Sequence, residues 1–252
     1  MTGTDVLAAL DLPAAARVDR RVPKTLLLQQ GAPTAADKRR LSDGIEQLVW
    51  VAALKPTTAG VAAYRDAERE YLEISVLHLT LRPTARLSRL VELVHRAIPY
   101  PVLAVAELGD GTHLSLAHKR WSQGEAGKTV LDGTIVATAW PQAGEEAHGP
   151  AFLAAMAFGR QPCGSLFTVY QGWVDTMRAL QAARRTGVFA TEVGADRLEA
   201  RRAALLECER LEAAMAQLRA TAATERQTAR LVDLNLELQR MQADWSLALA
   251  NL

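Results

Sequence analysis

The stretch Leu231–Leu252 carries an unbroken apolar ladder: Leu231, Leu234, Leu238, Met241, Trp245, Ala248 and Leu252. Steps of three and four place all of them on one seam of a helix, and such a seam is stable only when another surface covers it. A second ladder runs between Asp196 and Leu218 through Leu198, Leu205, Cys208, Leu211, Met215 and Leu218. Helices of about 22 residues would span roughly 33 Å each. The polar break at Thr221–Gln227 between them contains neither proline nor glycine, so no sharp turn is encoded. The expectation is a coiled-coil helical hairpin over 191–252, with a continuous rod that pairs with a second copy as the alternative. Leu231, Leu234, Leu238, Met241 and Trp245 are then the candidate partner interface.

The preceding chain alternates between periods. Thr4–Leu10 reads as a short helix and Val22–Leu28 as an extended docking segment. Thr34, with Asp37 three residues on, resembles a capping box opening a helix whose apolar face is Leu41, Ile45, Leu48, Val49 and Ala52. That helix is expected to end before Lys55-Pro56. Tyr71–Leu81 alternates like a strand, with a phase slip at Val76-Leu77. Ser88–Ile98 is amphipathic and is stopped by Pro99 and Pro101. Val102–Leu108 suits a buried strand, Gly109-Asp110-Gly111 a turn, and His113–Lys119 the returning strand. Asp132-Gly133 marks a further turn before a strand over Thr134–Trp140. Gln142–Gly149 reads as a linker, followed by helices over Pro150–Phe158 and Leu166–Ala183. The fold class is α+β or mixed α/β: a small mixed sheet with packed helices, then the hairpin. The expected divisions are a mixed α/β domain over 1–145, a helical segment over 150–190, and the hairpin over 191–252.

Charge excludes little. With 29 basic and 28 acidic residues, net +1, no global field draws the chain to nucleic acid. Arg17–Arg40, however, holds seven basic against two acidic residues. Lys24, Lys38, Arg39 and Arg40 from this stretch, with His118 and Lys119, are the candidate nucleic-acid contacts. The two cysteines, Cys163 and Cys208, lie far apart and lack metal-ligand spacing. No apolar run approaches the roughly 18–20 residues a bilayer crossing needs. No signal pattern opens the chain. A cytoplasmic protein without membrane contact is expected, and neither a cofactor nor a metal is.

One constellation bears on chemistry. A restriction-type nuclease core sets carboxylates and a lysine on adjacent strands to hold a metal and position water. Glu73, Glu107 and Lys119 would be the members here. The usual acidic residue two before the lysine is Ala117, so one metal ligand of that pattern is missing.

Several stretches together carry a resemblance. They are Val22-Pro23-Lys24, Ile45–Trp50 leading to Leu54-Lys55-Pro56-Thr57-Thr58, Ala97-Ile98-Pro99-Tyr100-Pro101-Val102, Leu114–Lys119, and Glu225-Arg226-Gln227 followed by Leu234-Asn235-Leu236-Glu237. In this order they resemble the bacterial family catalogued as domain of unknown function 4391, from about Val22 to Leu252. The residues that carry the likeness are Lys24, Trp50, Pro56, Thr57, Pro99, Tyr100, His118, Lys119 and Asn235. Members of that family tend to accompany helicases and DNA methyltransferases in restriction-like or phage-defence gene sets. The resemblance therefore implies a non-catalytic accessory or scaffold subunit of a phage-defence or restriction-modification-like complex. Its partner would be a helicase or methyltransferase, or a second copy. A metal-dependent nuclease with a degenerate core, and a DNA- or RNA-binding adaptor, are the alternatives.

Overall fold

The computed structural model describes residues 2–30, 34–140, 147–191 and 194–252. Contacts divide the chain into two compact units, Met1–Met177 and Arg178–Leu252. The division falls inside a helix and not in the 142–149 linker, of which residues 142–146 lie outside the described residues.

The first unit is a six-stranded mixed sheet with helices packed on it. Its strands are β1 (Arg17–Arg21), β2 (Ile45–Leu54), β5 (Ile74–Leu81), β6 (Val102–Leu108), β7 (Gly111–Trp121) and β8 (Thr129–Trp140), in that spatial order. A separate two-stranded ribbon pairs β3 (Tyr64–Arg65) with β4 (Glu70–Tyr71). Only β5 and β6 run parallel; every other neighbouring pair is antiparallel. The parallel pair needs a crossover, which helix α5 (Leu87–Ala97) supplies. One sheet face buries Leu77, Leu79, Leu81, Val102, Ala104 and Ala106 against Leu90, Leu93, Val94 and Ala97 of α5. Strand β5 is also buried on its other face at Ile74 and Val76, which explains the apparent phase slip: both phases of the alternation are apolar.

Three further helices pack in this unit: α1 (Gly3–Ala9) against β6, and α2 (Lys24–Gln30) and α3 (Ala35–Gly44) beside α5. The helix expected from Thr4 starts at Gly3, and Thr2 caps it, its hydroxyl accepting from Asp5 N at 3.2 Å. The Val22–Leu28 segment is helical from Lys24 onward, because leucines and glutamines are good helix formers and Leu27 finds a buried seat. Thr34 caps α3 as expected, accepting from Asp37 N at 3.1 Å. That helix stops at Gly44, however, and the expected helical face Ile45, Leu48, Val49, Ala52 belongs to strand β2. Register shifts at Ile45/Gln47 and Trp50/Ala52 are the cause. A bulge adds one residue, so two buried positions fall three apart and imitate helical spacing. Asp132-Gly133 likewise lies within β8, where Gly133 has φ 77° beside a register shift. The hairpin turn comes earlier, with Ser122 N bonded to Lys128 O at 2.8 Å.

Helix α4 (Pro56–Ala59) follows β2, and α6 (Gly149–Met156) follows the sheet. Helix α7 (Leu166–Thr186) begins in the first unit and ends in the second. It docks on the sheet through Tyr170, fully buried, whose hydroxyl donates to Val102 O at 2.7 Å and accepts from Ala117 N at 2.7 Å. The second unit is the hairpin of α8 (Ala195–Thr224) and α9 (Thr228–Leu249), broken by the polar residues Glu225–Gln227. Among the described residues, no helix is long and apolar enough to cross a membrane.

Candidate functional site

The hairpin uses its two ladders unequally. On α8, Leu205, Cys208, Leu211 and Met215 are buried, at 3%, 0%, 1% and 5% exposure. On α9, Leu231, Leu234, Leu238, Met241 and Trp245 are each half-buried, and only Ala248 and Leu252 reach the interior. The predicted interface seam therefore faces α8 within the chain. Glu212 fixes the crossing: Arg185 donates to its two oxygens at 3.0 and 2.8 Å, and the Trp245 indole N–H to one of them at 3.1 Å. The Arg185 guanidinium holds the Glu212 carboxyl below its ordinary pKa.

The opposite side of α9 was not singled out by the ladder. Val232, Leu236 and Leu247 are 52%, 48% and 68% exposed. With Ala243 they fall within about 60° of helical arc, on the side away from the α8 seam. Helix α9 thus carries two apolar stripes, and the outer one meets solvent.

The nuclease candidates do not converge. In the β6–β7 ladder Glu107 stands opposite Thr112. Lys119 lies further along β7, roughly 23 Å away at about 3.3 Å per residue. Glu107 is occupied at its own end, accepting from Gly3 N at 2.9 Å and facing His78 Nε2 at 3.2 Å. Lys119 is 1% exposed, and its ammonium donates to the backbone oxygen of His95 at the end of α5. Burial, with Arg96 nearby, pushes its pKa down to about 8. Among the described residues, no group of three or more His, Cys, Asp or Glu side chains could hold a metal.

The basic candidates divide between the two ends of the sheet. Lys24 donates to Ser42 O at 3.1 Å and to Ile45 O, so it closes the end of α3 much as Lys119 closes α5. His118 sits in a ring cluster with Tyr71, Phe167 and Tyr170, its Nδ1 2.5 Å from the Tyr71 hydroxyl. Lys38 and Arg39 are exposed on α3, whereas Arg40 is tied to Asp37 at 3.0 Å. Arg89 also grips Asp37, donating at 3.0 and 2.8 Å, and this pair holds the Asp37 carboxyl far below the carboxylate range. Arg39 and Arg40 share a cleft of about 350 Å³ with Arg86, Asp43 and Thr84.

A second cleft gathers residues that no single stretch announces. Trp50 from β2, Glu73 just before β5, Ser75 at its start, and Pro99 and Tyr100 from the end of the crossover line a space of about 210 Å³. Glu73 is 4% exposed; one carboxylate oxygen accepts from the Ser75 hydroxyl at 3.0 Å, and the other lies 3.2 Å from Lys55 Nζ. Trp50, Pro99 and Tyr100 carried the family likeness separately, and the crossover brings them together.

A family model described as domain of unknown function (DUF4391) matches residues 10–244. The chain belongs to the DUF4391 family. No curated protein and no solved structure matches it. In this DUF4391 chain, the residues that carried the resemblance thus include two lysines that close helices, one histidine in an aromatic cluster, and three walls of a cleft.

Proposed function

We propose that this protein is a non-catalytic accessory subunit that works by protein–protein contact, the outer face of α9 seating a helix of its partner. The observation that carries this reading is the exposed stripe Val232, Leu236, Leu247 on a helix whose other stripe is turned to α8. Exposed apolar stripes at helical spacing are the anchors of helix-in-groove and coiled-coil recognition. The company kept by the family makes a helicase or DNA methyltransferase of a phage-defence or restriction-modification-like set the expected partner. Replacing Leu236 and Leu247 together by aspartate should abolish co-purification with that partner and leave the circular dichroism melt unchanged, because neither side chain faces α8. Complex formation undiminished in the double variant would overturn the reading.

The cleft holding Arg39, Arg40 and Arg86 favours a second reading, a nucleic-acid adaptor. Neither Arg39 nor Arg86 has an ion pair among the described residues, so both guanidiniums are available to phosphate. Arg39→Ala with Arg86→Ala should weaken single- and double-stranded DNA binding and lower its salt dependence by about two phosphate contacts. Unchanged binding and an unchanged salt slope would exclude this face.

A further inference from the structure

The geometry points to the Trp50–Glu73–Tyr100 cleft as a site for a guanine base, carried by a free nucleotide or by the end of a single strand. Its volume, about 210 Å³, is below that of the roughly 300–1,000 Å³ pockets that hold drug-sized ligands and suits one planar heterocycle. Two aromatic side chains contribute to its walls, and the Trp50 indole is oriented by its N–H bond to Ala52 O at 2.9 Å. Stacking on aromatic side chains is the general means of holding a base out of solvent.

The polar groups then select which base. Glu73 is buried and acceptor-only, and its two oxygens keep further lone pairs beyond the Ser75 hydroxyl and the Lys55 ammonium. The pairing edge of guanine offers two adjacent donors, the ring N1–H and the 2-amino group, followed by the O6 acceptor. Glu73, the carboxylate in the cleft wall, complements the two donors, and Lys55, whose ammonium lies 3.2 Å from that carboxylate, adds a positive charge behind it that favours the O6 side of the base. Adenine and cytosine place a ring-nitrogen lone pair beside their amino group, which would oppose a carboxylate oxygen. Uracil offers one N–H between two carbonyls. An organic cation fits less well, because Lys55 already neutralises Glu73 and the exposed Arg20 stands directly opposite Trp50 in the β1–β2 register. Arg20 has no ion pair among the described residues, and its place beside the Trp50 wall suits the phosphate of the same nucleotide.

Calorimetric titration of the full chain with GMP, AMP, CMP and UMP tests the site. GMP should bind at least about tenfold more tightly than the other three, since a site built to hydrogen-bond one edge rejects edges that leave its groups unpaired. Glu73→Gln should remove that preference. Tyr100→Ala and Lys55→Ala, at residues 38% and 48% exposed, should each weaken GMP binding with the melting curve preserved, and they decide the matter if Glu73→Gln does not fold. Short single strands ending in guanine or in thymine separate the two sources: tighter binding of the guanine-ended strand than of GMP assigns the strand end, and the reverse assigns the free nucleotide. No GMP binding at millimolar concentration, equal binding of all four nucleotides, or indifference to all three substitutions would overturn the proposal.

Discussion

Replacing Trp173 by alanine is expected to lower stability by about 3–5 kcal/mol, the range found for removing a buried aromatic from a packed core. Trp173 is fully buried on α7, with the Phe158 ring centroid 6.5 Å away. Its indole N–H donates to Met156 O at 2.8 Å, tying α7 to the end of α6. Alanine removes the rings, leaves a cavity the neighbouring helices can only partly collapse into, and orphans the Met156 carbonyl. Trp173→Phe separates these effects. It retains much of the volume but not the donor, so it should lose a smaller amount, about 1–3 kcal/mol for the unpaired carbonyl. Urea unfolding of the three proteins checks both values. Equal losses for alanine and phenylalanine would show that the hydrogen bond, not packing, holds α7 in place.

The second large effect is in pH. Between about pH 8 and pH 10.5 the native protein should gain roughly 3 kcal/mol relative to its Lys119→Met variant. In the unfolded chain Lys119 keeps its proton up to the ordinary lysine value of 10.5, whereas burial lowers the folded value to about 8. Across that window the unfolded state binds a proton the folded state has released, so stability rises with pH. Below it both states are protonated, and the difference between the two proteins is flat. Tyr71 and Tyr170, whose hydroxyls burial pushes upward, act in the opposite direction above about pH 10, but equally in both proteins. Chemical denaturation of the pair across this range measures the difference. A gap independent of pH would show that the lysine is charged throughout.

Elements whose period is undisturbed were legible from the residues. α5 is announced by Leu90, Val91 and Val94 and stopped by Pro99, and β6 is a continuous apolar run that agrees with its observed bounds. The hairpin was legible for the same reason. β2 was not, because its bulges turned a two-residue repeat into threes, and α2 was not, because Leu26-Leu27-Leu28 satisfies either period. For the sites, sequence identified chemistry without placing it. Glu73, Glu107 and Lys119 are the right residue types for a metal site, yet the strand register carries Glu107 to the other end of the sheet from Lys119. Lys24 and Lys119 read as available cations, and both are occupied by helix-end carbonyls. The Trp50, Glu73 and Tyr100 cleft depends on a parallel crossover that no local pattern reveals.

Strand β1 has a consequence of its own. It lies at the margin of the sheet, where an unpaired row of backbone donors and acceptors invites another chain to add on. Its five residues, Arg17-Val18-Asp19-Arg20-Arg21, are nearly all charged, and Asp19 adopts φ 47° beside a register shift. A short, bent, highly charged rim of this kind is poor seed material for fibrils, and it discourages another copy's strand from zipping onto this side of the sheet.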